Sequence, residues 1–110
     1  MHNTRTQANK QTHPLTTQAY DEINRTQIPG SCTACLTLIT SDGHLHVLNL
    51  GDSGIHIVRD GVSIFCTREQ QHFFNCPYQL GLGSDDLPAH ADYFVLVVSV
   101  CLSVCLSVAD

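Results

Sequence analysis

A chain of 110 residues can build one small domain, and its 43% of apolar residues is the composition of an ordinary globular protein. The net charge of −5 and the lack of any run of Lys or Arg argue against a nucleic-acid partner or an anionic membrane surface. The first residues carry neither the apolar stretch of a secretory signal nor the pattern of an organelle presequence, so we expect no targeting segment in this chain. The six cysteines are therefore expected to be reduced thiols.

The amino-terminal part divides into a lead-in and a short helix. Residues 1–13 are polar, with almost no apolar side chain, and this composition predicts a disordered lead-in. In residues 14–29 the apolar side chains recur at helical spacing and predict one face of a helix that ends before Pro29. These side chains are Leu15, Ala19, Ile23 and Ile28.

Four short apolar segments in the middle of the chain predict strands of an antiparallel β-meander. They are residues 33–40, 44–50, 55–59 and 62–67. Turn signals join the first two strands at residues 41–43 and the last two at Asp60 and Gly61, where both φ angles are expected to be positive. The second and third strands are joined by residues 51–54, Gly-Asp-Ser-Gly, which place one carboxylate between glycines that allow a close backbone approach.

The last third is irregular. Residues 68–92 are broken by Pro and Gly and predict a loop or short helical turns that pack aromatic side chains on the sheet edge. Residues 99–108 repeat Ser-Val-Cys-Leu with a period of four, which matches neither a helix face nor a strand face. A translated TGTC array has this period, so we interpret residues 95–110 as an aberrant low-complexity hydrophobic tail. The alternatives are a hydrophobic strand and a membrane anchor, although for an anchor the run is short and lacks flanking Lys or Arg.

The Gly-Asp-Ser-Gly segment permits three interpretations. A trypsin-type nucleophile loop is set aside, because Ile-His follows where that loop has Gly-Pro and no suitable upstream histidine motif is present. Asp52 could instead be a carboxylate ligand of a hard cation such as Mg²⁺ or Mn²⁺. The third interpretation is a structural turn in which Asp52 binds backbone amides.

Other polar clusters favour structural roles. Cys32 and Cys35 lack the second ligand pair of a zinc site and predict packing. His44 and His46 share a strand face, with His56 expected on the adjacent strand, and an exposed face is favoured over a metal site. His72 is interpreted as a capping or packing residue. A solvated acidic loop is predicted from three carboxylates, Asp85, Asp86 and Asp92.

Three segments together resemble a known family. Residues 29–35 (Pro-Gly-Ser-Cys-Thr-Ala-Cys) and 45–54 (ending Asn-Leu-Gly-Asp-Ser-Gly) are similar to a strand entry and the following hairpin of the metal-dependent type 2C serine/threonine protein phosphatases. Residues 69–80 (Glu-Gln-Gln-His-Phe-Phe-Asn-Cys-Pro-Tyr-Gln-Leu) resemble the mitochondrial, PTC-seven-like branch of that family. The resemblance covers residues 14–94, interpreted as the middle part of a phosphatase domain.

This resemblance implies an α+β fold, a partial αββα sandwich of two β-sheets flanked by helices. It implies hydrolysis of phosphoserine and phosphothreonine in phosphorylated proteins by a water that two Mg²⁺ or Mn²⁺ ions activate. Asp52 matches an aspartate that helps to hold a further metal in some members, and it is the one candidate metal ligand. Mitochondrial location is implied by the resemblance alone.

The departures from the family predict an inactive chain. The Asp-Gly-x-Gly-Gly and Asp-Gly-Leu-x-Asp metal motifs are absent from the sequence, so no catalytic residue is assigned. One carboxylate cannot hold a binuclear pair of cations. Two alternatives to an enzyme follow: a non-catalytic truncated isoform or binding fragment, and a membrane-tethered interaction piece.

Overall fold

The structure of the chain, a computed structural model, describes residues 7–8, 13–97 and 103–107, the first and last of these segments by their backbone. One α-helix, α1, spans Pro14–Thr26. It begins where His13 Nδ1 accepts a hydrogen bond from the Leu15 amide at 3.1 Å, with proline at the first helical position, where its fixed φ suits the helix. It ends at Gln27, whose left-handed conformation lets its amide bond the Ile23 carbonyl.

The described strands are short, and one 3₁₀ turn spans Pro88–His90. In chain order the strands are β1 (Gln7–Ala8), β2 (Gly30–Cys32), β3 (Ala34–Ile39), β4 (His44–Leu50), β5 (Gly54–Arg59), β6 (Val62–Cys66), β7 (Gln71–Phe73), β8 (Cys76–Pro77), β9 (Leu80–Leu82), β10 (Asp92–Val97) and β11 (Ser103–Ser107).

Two antiparallel sheets organise the chain. The first has the order β1-β10-β4-β3 and the second the order β11-β5-β6. The predicted hairpins are present: β3 pairs with β4, and β5 pairs with β6 through Asp60 and Gly61, both at positive φ. Because residues 51–53 carry the chain from one sheet to the other, the meander is folded into a two-layer arrangement.

The core lies between these two sheets. Five fully buried side chains form it: Leu45, Val47, Ile55, Ile57 and Leu96. Phe65 from the second sheet meets Phe94 from the first edge to face, with ring centroids 5.2 Å apart. The α+β class and the sheet-on-sheet sandwich expected from the sequence are confirmed.

The predicted apolar face of α1 is wrong in part. Leu15 is 55% exposed and Ala19 is exposed, whereas Ile23 of the predicted face is half-buried; outside that face, Thr16 is buried and Tyr20 is half-buried. The helix packs against β9 and the 3₁₀ turn. The neighbours of the helix therefore decide which of its sides is covered.

The prediction for residues 68–92 is also wrong in part. The segment forms β7, β8 and β9 where a loop was expected, and it contains a short helical turn at Pro88–His90. Phe73 and Phe74 stand at the tip of the β7–β8 hairpin, where Phe74 is 92% exposed. Asn75 takes the positive φ that this tight turn requires.

A short strand is described within each predicted end segment, β1 in the lead-in and β11 in the tail. β1 pairs with β10, and β11 pairs with β5. β10 runs through the predicted boundary at residue 94, with Leu96 buried in the core. Residues 1–6, 9–12, 98–102 and 108–110 of the predicted lead-in and tail lie outside the described residues, and the division into segments stays a prediction. Within residues 13–97, no helix is both long and apolar enough to cross a bilayer.

Candidate functional site

The turn between the two sheets is built around Gly51. Its φ is 105°, a conformation that side-chain-bearing residues rarely adopt. A Cβ added there would lie 2.6 Å from the Tyr78 carbonyl oxygen and closer still to Thr33 Cγ2. Glycine at this position therefore allows both the sharp turn after β4 and the close approach of two neighbouring segments.

Gln70 holds both polar groups of the Gly51 backbone. Its side-chain Oε1 accepts a hydrogen bond from the Gly51 amide at 2.7 Å, and its own amide donates to the Gly51 carbonyl at 3.0 Å. The side-chain Nε2 donates to the His90 carbonyl at 2.8 Å, and the residue is only 3% exposed. The turn is thus tied to the segment that follows β6 and to the 3₁₀ turn.

The two polar side chains of the turn are held from either side. Gln71 Nε2 donates to Asp52 Oδ2 at 3.3 Å, and Ser53 Oγ lies 2.8 Å from Thr33 Oγ1. Buried Asn49, at the end of β4, donates to the Gly51 carbonyl at 3.4 Å. The three sequence segments at 29–35, 45–54 and 69–80 therefore meet at this one turn, with Asp52 half-buried on it.

The roles of Asn49, Gln70 and Gln71 were not predicted from the sequence, although all three lie inside the quoted motifs. A glutamine reveals no partner by its spacing, because its partners here are distant in sequence. The signal available in advance was the coincidence of polar residues with a motif, which marks them as important without saying what they bind.

A second polar cluster surrounds Asp86. Its Oδ2 accepts hydrogen bonds from the Gln79 amide at 2.9 Å and from Ser84 Oγ at 3.3 Å. Its Oδ1 lies 2.9 Å from His72 Nε2, although the directions of the two groups do not form an aligned hydrogen bond. The prediction of a solvated loop is wrong here, because Asp86 is 3% exposed.

The neighbours of the cluster differ from it. Asp85 is exposed, as predicted, whereas Asp92 lies in β10 with its carboxylate 3.3 Å from Arg68 Nη2. His72 packs against Tyr78, with ring centroids 4.3 Å apart, which agrees with its predicted packing role. The contacts of Asp86 and His72 therefore give this cluster a structural role: they hold together the segments around Tyr78 and Ser84.

The charge of Asp86 is expected to make stability depend on pH. Burial raises the pKa of this carboxyl, but the Gln79 amide, His72 and Ser84 outweigh it and leave the pKa below its usual range. The stabilisation is therefore present above the ordinary Asp pKa and is lost as the pH falls through the lowered value. At neutral pH, Asp86→Asn should cost about 1.5–3 kcal/mol because it removes a charged hydrogen-bond acceptor.

Urea unfolding at several pH values measures this effect. On acidification the native chain should lose more stability than Asp86→Asn does, so that the two unfolding midpoints converge. Asp85→Asn, at the exposed neighbour, should stay within about 0.5 kcal/mol of the native chain. Parallel pH profiles for the native chain and Asp86→Asn would contradict the expectation.

Of the three histidines predicted to be neighbours, two lie together and the third is on the other sheet. His44 and His46 share the outer face of the first sheet, with ring centroids 6.4 Å apart, and His46 Nδ1 lies 2.7 Å from the Tyr93 hydroxyl. The prediction that His56 lies on the adjacent strand is wrong, because β5 belongs to the second sheet. His56 pairs instead with Ser63 of β6.

Four cysteines are free thiols: Cys32, Cys35, Cys66 and Cys76. Cys35 packs against the core, and burial raises the pKa of its thiol, as expected for a packing residue. Cys32 is exposed on β2. Neither observation supports a zinc or redox site at this pair.

The described residues do not fit a pair of metal ions. Asp52 offers one carboxylate and Gln71 holds it by an amide, whereas two hard cations need several oxygen ligands. No group of three or more His, Cys, Asp or Glu side chains in the described part of the chain is placed to hold a metal. Asp52 can offer one carboxylate ligand to a single, weakly held cation, whereas a pair of metal ions would need ligands from other residues.

Sequence comparison finds relatives over about two thirds of the chain. No family model matches. The chain is 45% identical over 75 residues to "Probable protein phosphatase 2C 55" of Arabidopsis thaliana. The matched region is 67% of this chain and 16% of that relative. The chain is 40% identical over 85 residues to "Protein phosphatase PTC7 homolog" of Homo sapiens, which covers 74% of this chain and 27% of the relative. It thus spans well under a third of the length of these relatives.

Structure comparison supports the same fold. The solved photosystem II phosphatase PBCP superposes with a TM-score of 0.73, over 84% of this chain and 37% of that one. At 24% sequence identity this likeness establishes the fold alone.

Proposed function

We propose that this chain, which is a homologue of the PP2C-type protein phosphatases, is a part of such a phosphatase domain and contributes Asp52 to its metal site. The observation that supports the proposal is the meeting of three motif segments at the Gly51–Asp52 turn. Thr33, Asn49, Gln70 and Gln71 all hold that turn. Four side chains that hold one short turn exceed what a simple strand connection needs.

The reaction proposed for the whole domain is hydrolysis of phosphoserine and phosphothreonine in phosphorylated proteins. Mg²⁺ or Mn²⁺ would supply an activated water and would stabilise the charge on the phosphoryl oxygens. The part of this chain in that reaction is to hold a carboxylate at the sheet junction. Mitochondrial location is proposed from the likeness to proteins named PTC7 homologs.

We further propose that the 110-residue chain is inactive alone, because its described residues bring together one carboxylate where two metal ions need several. The purified chain should release no phosphate from a phosphothreonine peptide with Mn²⁺. A full-length relative assayed in parallel is the positive control. Turnover that stops on addition of a chelator would overturn this proposal.

A non-catalytic binding fragment is the second candidate. It is favoured by the exposed apolar side chains on β3, which forms an edge of the first sheet. These side chains are Leu36, Leu38 and Ile39. Edge strands of this kind pair readily with other chains. Sedimentation of the purified chain at increasing concentration tests the idea, and a monomer at every concentration would remove the case for self-pairing.

A further inference from the structure

We propose that Gln70 is a positioning residue for Asp52: it fixes the Gly51 peptide from both sides and thereby sets where the Asp52 carboxylate points. The inference rests on the proposed function, since the direction of this carboxylate matters only if Asp52 is a metal ligand. The contacts that carry it do not depend on that function.

The turn needs an outside support. Gly51 takes a positive φ, is buried, and is pressed between Thr33 and the Tyr78 carbonyl. The hydrogen bond from the preceding strand, Asn49 Nδ2 to the Gly51 carbonyl, is long at 3.4 Å. The shorter bonds at 2.7 Å and 3.0 Å both come from Gln70. Gln70 therefore satisfies both the amide and the carbonyl of Gly51, which belong to the two peptide groups on either side of its Cα.

The hydrogen bonds at position 70 require an amide side chain. The Gly51 amide needs an acceptor, and the His90 carbonyl needs a donor, so the side chain must present oxygen to one and nitrogen to the other. The backbone of Gln70 is held too, because its carbonyl accepts from the Tyr78 amide at 3.0 Å. With both of its ends engaged and 3% exposure, Gln70 cannot rotate without breaking several bonds.

The support continues to the carboxylate itself. Gln71, the next residue, leads into β7 and donates to Asp52 Oδ2. The two adjacent glutamines thus have different partners. Gln70 holds the backbone of the turn at Gly51, and Gln71 orients the Asp52 side chain. Displacement of Gln70 would move both contacts together because they share one backbone.

The first test uses the native chain and needs no variant. A scalar coupling across the hydrogen bond, between the Gly51 amide nitrogen and the Gln70 side-chain carbonyl carbon, should be detectable by NMR. Its absence in a folded, assigned sample would overturn the proposal.

The second test compares Gln70→Met, which keeps the length of the side chain without its polar atoms, with Gln18→Met on the exposed face of α1. Amide hydrogen exchange at Gly51 should become about tenfold faster in Gln70→Met, because a local opening then breaks fewer bonds. Gln18→Met should exchange at the native rate. Exchange within twofold (about the scatter of the method) of the native rate in Gln70→Met would contradict the inference.

The third test asks whether Gln70 positions the Asp52 carboxylate or only stabilises the turn. Added Mn²⁺ should broaden the NMR signals of residues 51–53 in the native chain more than those at Asp60, an exposed carboxylate on the β5–β6 turn, and Gln70→Met should weaken this preference. Unchanged broadening in Gln70→Met would show that Gln70 does not position Asp52. If the native chain shows no such preference, the proposed metal role of Asp52 fails, while the scalar coupling and the exchange rates still decide whether Gln70 holds the turn.

Discussion

Gly51→Ala is expected to destabilise the chain by about 3 kcal/mol or more, which can exceed the stability of a domain this small. Two penalties add. A side chain at φ 105° strains the backbone, and the new Cβ would collide with Thr33 and with the Tyr78 carbonyl. A backbone oxygen cannot move aside as the end of a flexible side chain can. Urea unfolding followed by circular dichroism measures the loss.

Gly61→Ala is the matched control. Gly61 also has a positive φ, 76°, but an added Cβ there would meet no atom within 4 Å. Only the conformational penalty remains, so the cost should be about 1 kcal/mol. Equal losses for the two variants would contradict the claim that Gly51 is needed for the close contact at the sheet junction.

Ile57→Ala is expected to cost about 2–5 kcal/mol, because it opens a cavity where the two sheets meet. Ile57 is fully buried in the cluster that includes Leu45 and Leu96. Ile39→Ala makes the same change on the edge strand β3, where Ile39 is 60% exposed, and should stay within about 0.5 kcal/mol of the native chain.

The same urea unfolding curves decide between the two isoleucines. Similar losses at Ile57 and Ile39 would show that the core does not lie between the sheets. A loss at Ile57 alone supports the sandwich, and it also shows that the exposed end of β3 at Ile39 contributes little to the stability of this chain.

The hairpins were predictable because their signals are local. Residues 44–50 form β4 with the predicted limits, and Asp60 and Gly61 both take positive φ as their turn type requires. The 51–54 segment was recognisable as a turn from its two glycines, and its flanks indicated the family. These features depend on residues within a few positions of each other.

The covered side of α1 and the burial of Asp86 were not predictable in the same way. A helix with weak apolar patterning is oriented by whatever it packs against, here β9 and the 3₁₀ turn. Asp86 is buried because the Gln79 amide and Ser84 satisfy its carboxylate, and a run of acidic residues in a sequence resembles a solvated loop. Residues 69–80 are recognisable as a motif, but the partners of Gln70 and Gln71 at the Gly51–Asp52 turn are distant in sequence.

The sequence by itself determined the four strands β3 to β6, the turns of their hairpins, the family likeness and the single carboxylate of the Gly-Asp-Ser turn, since each is encoded in neighbouring residues. Only the tertiary structure decided what holds that turn. Gln70 lies 19 positions from Gly51, and the two meet because the chain crosses from one sheet to the other and returns. A hydrogen bond between distant residues leaves no periodic trace in a sequence, because it depends on where the packed sheets bring the two groups.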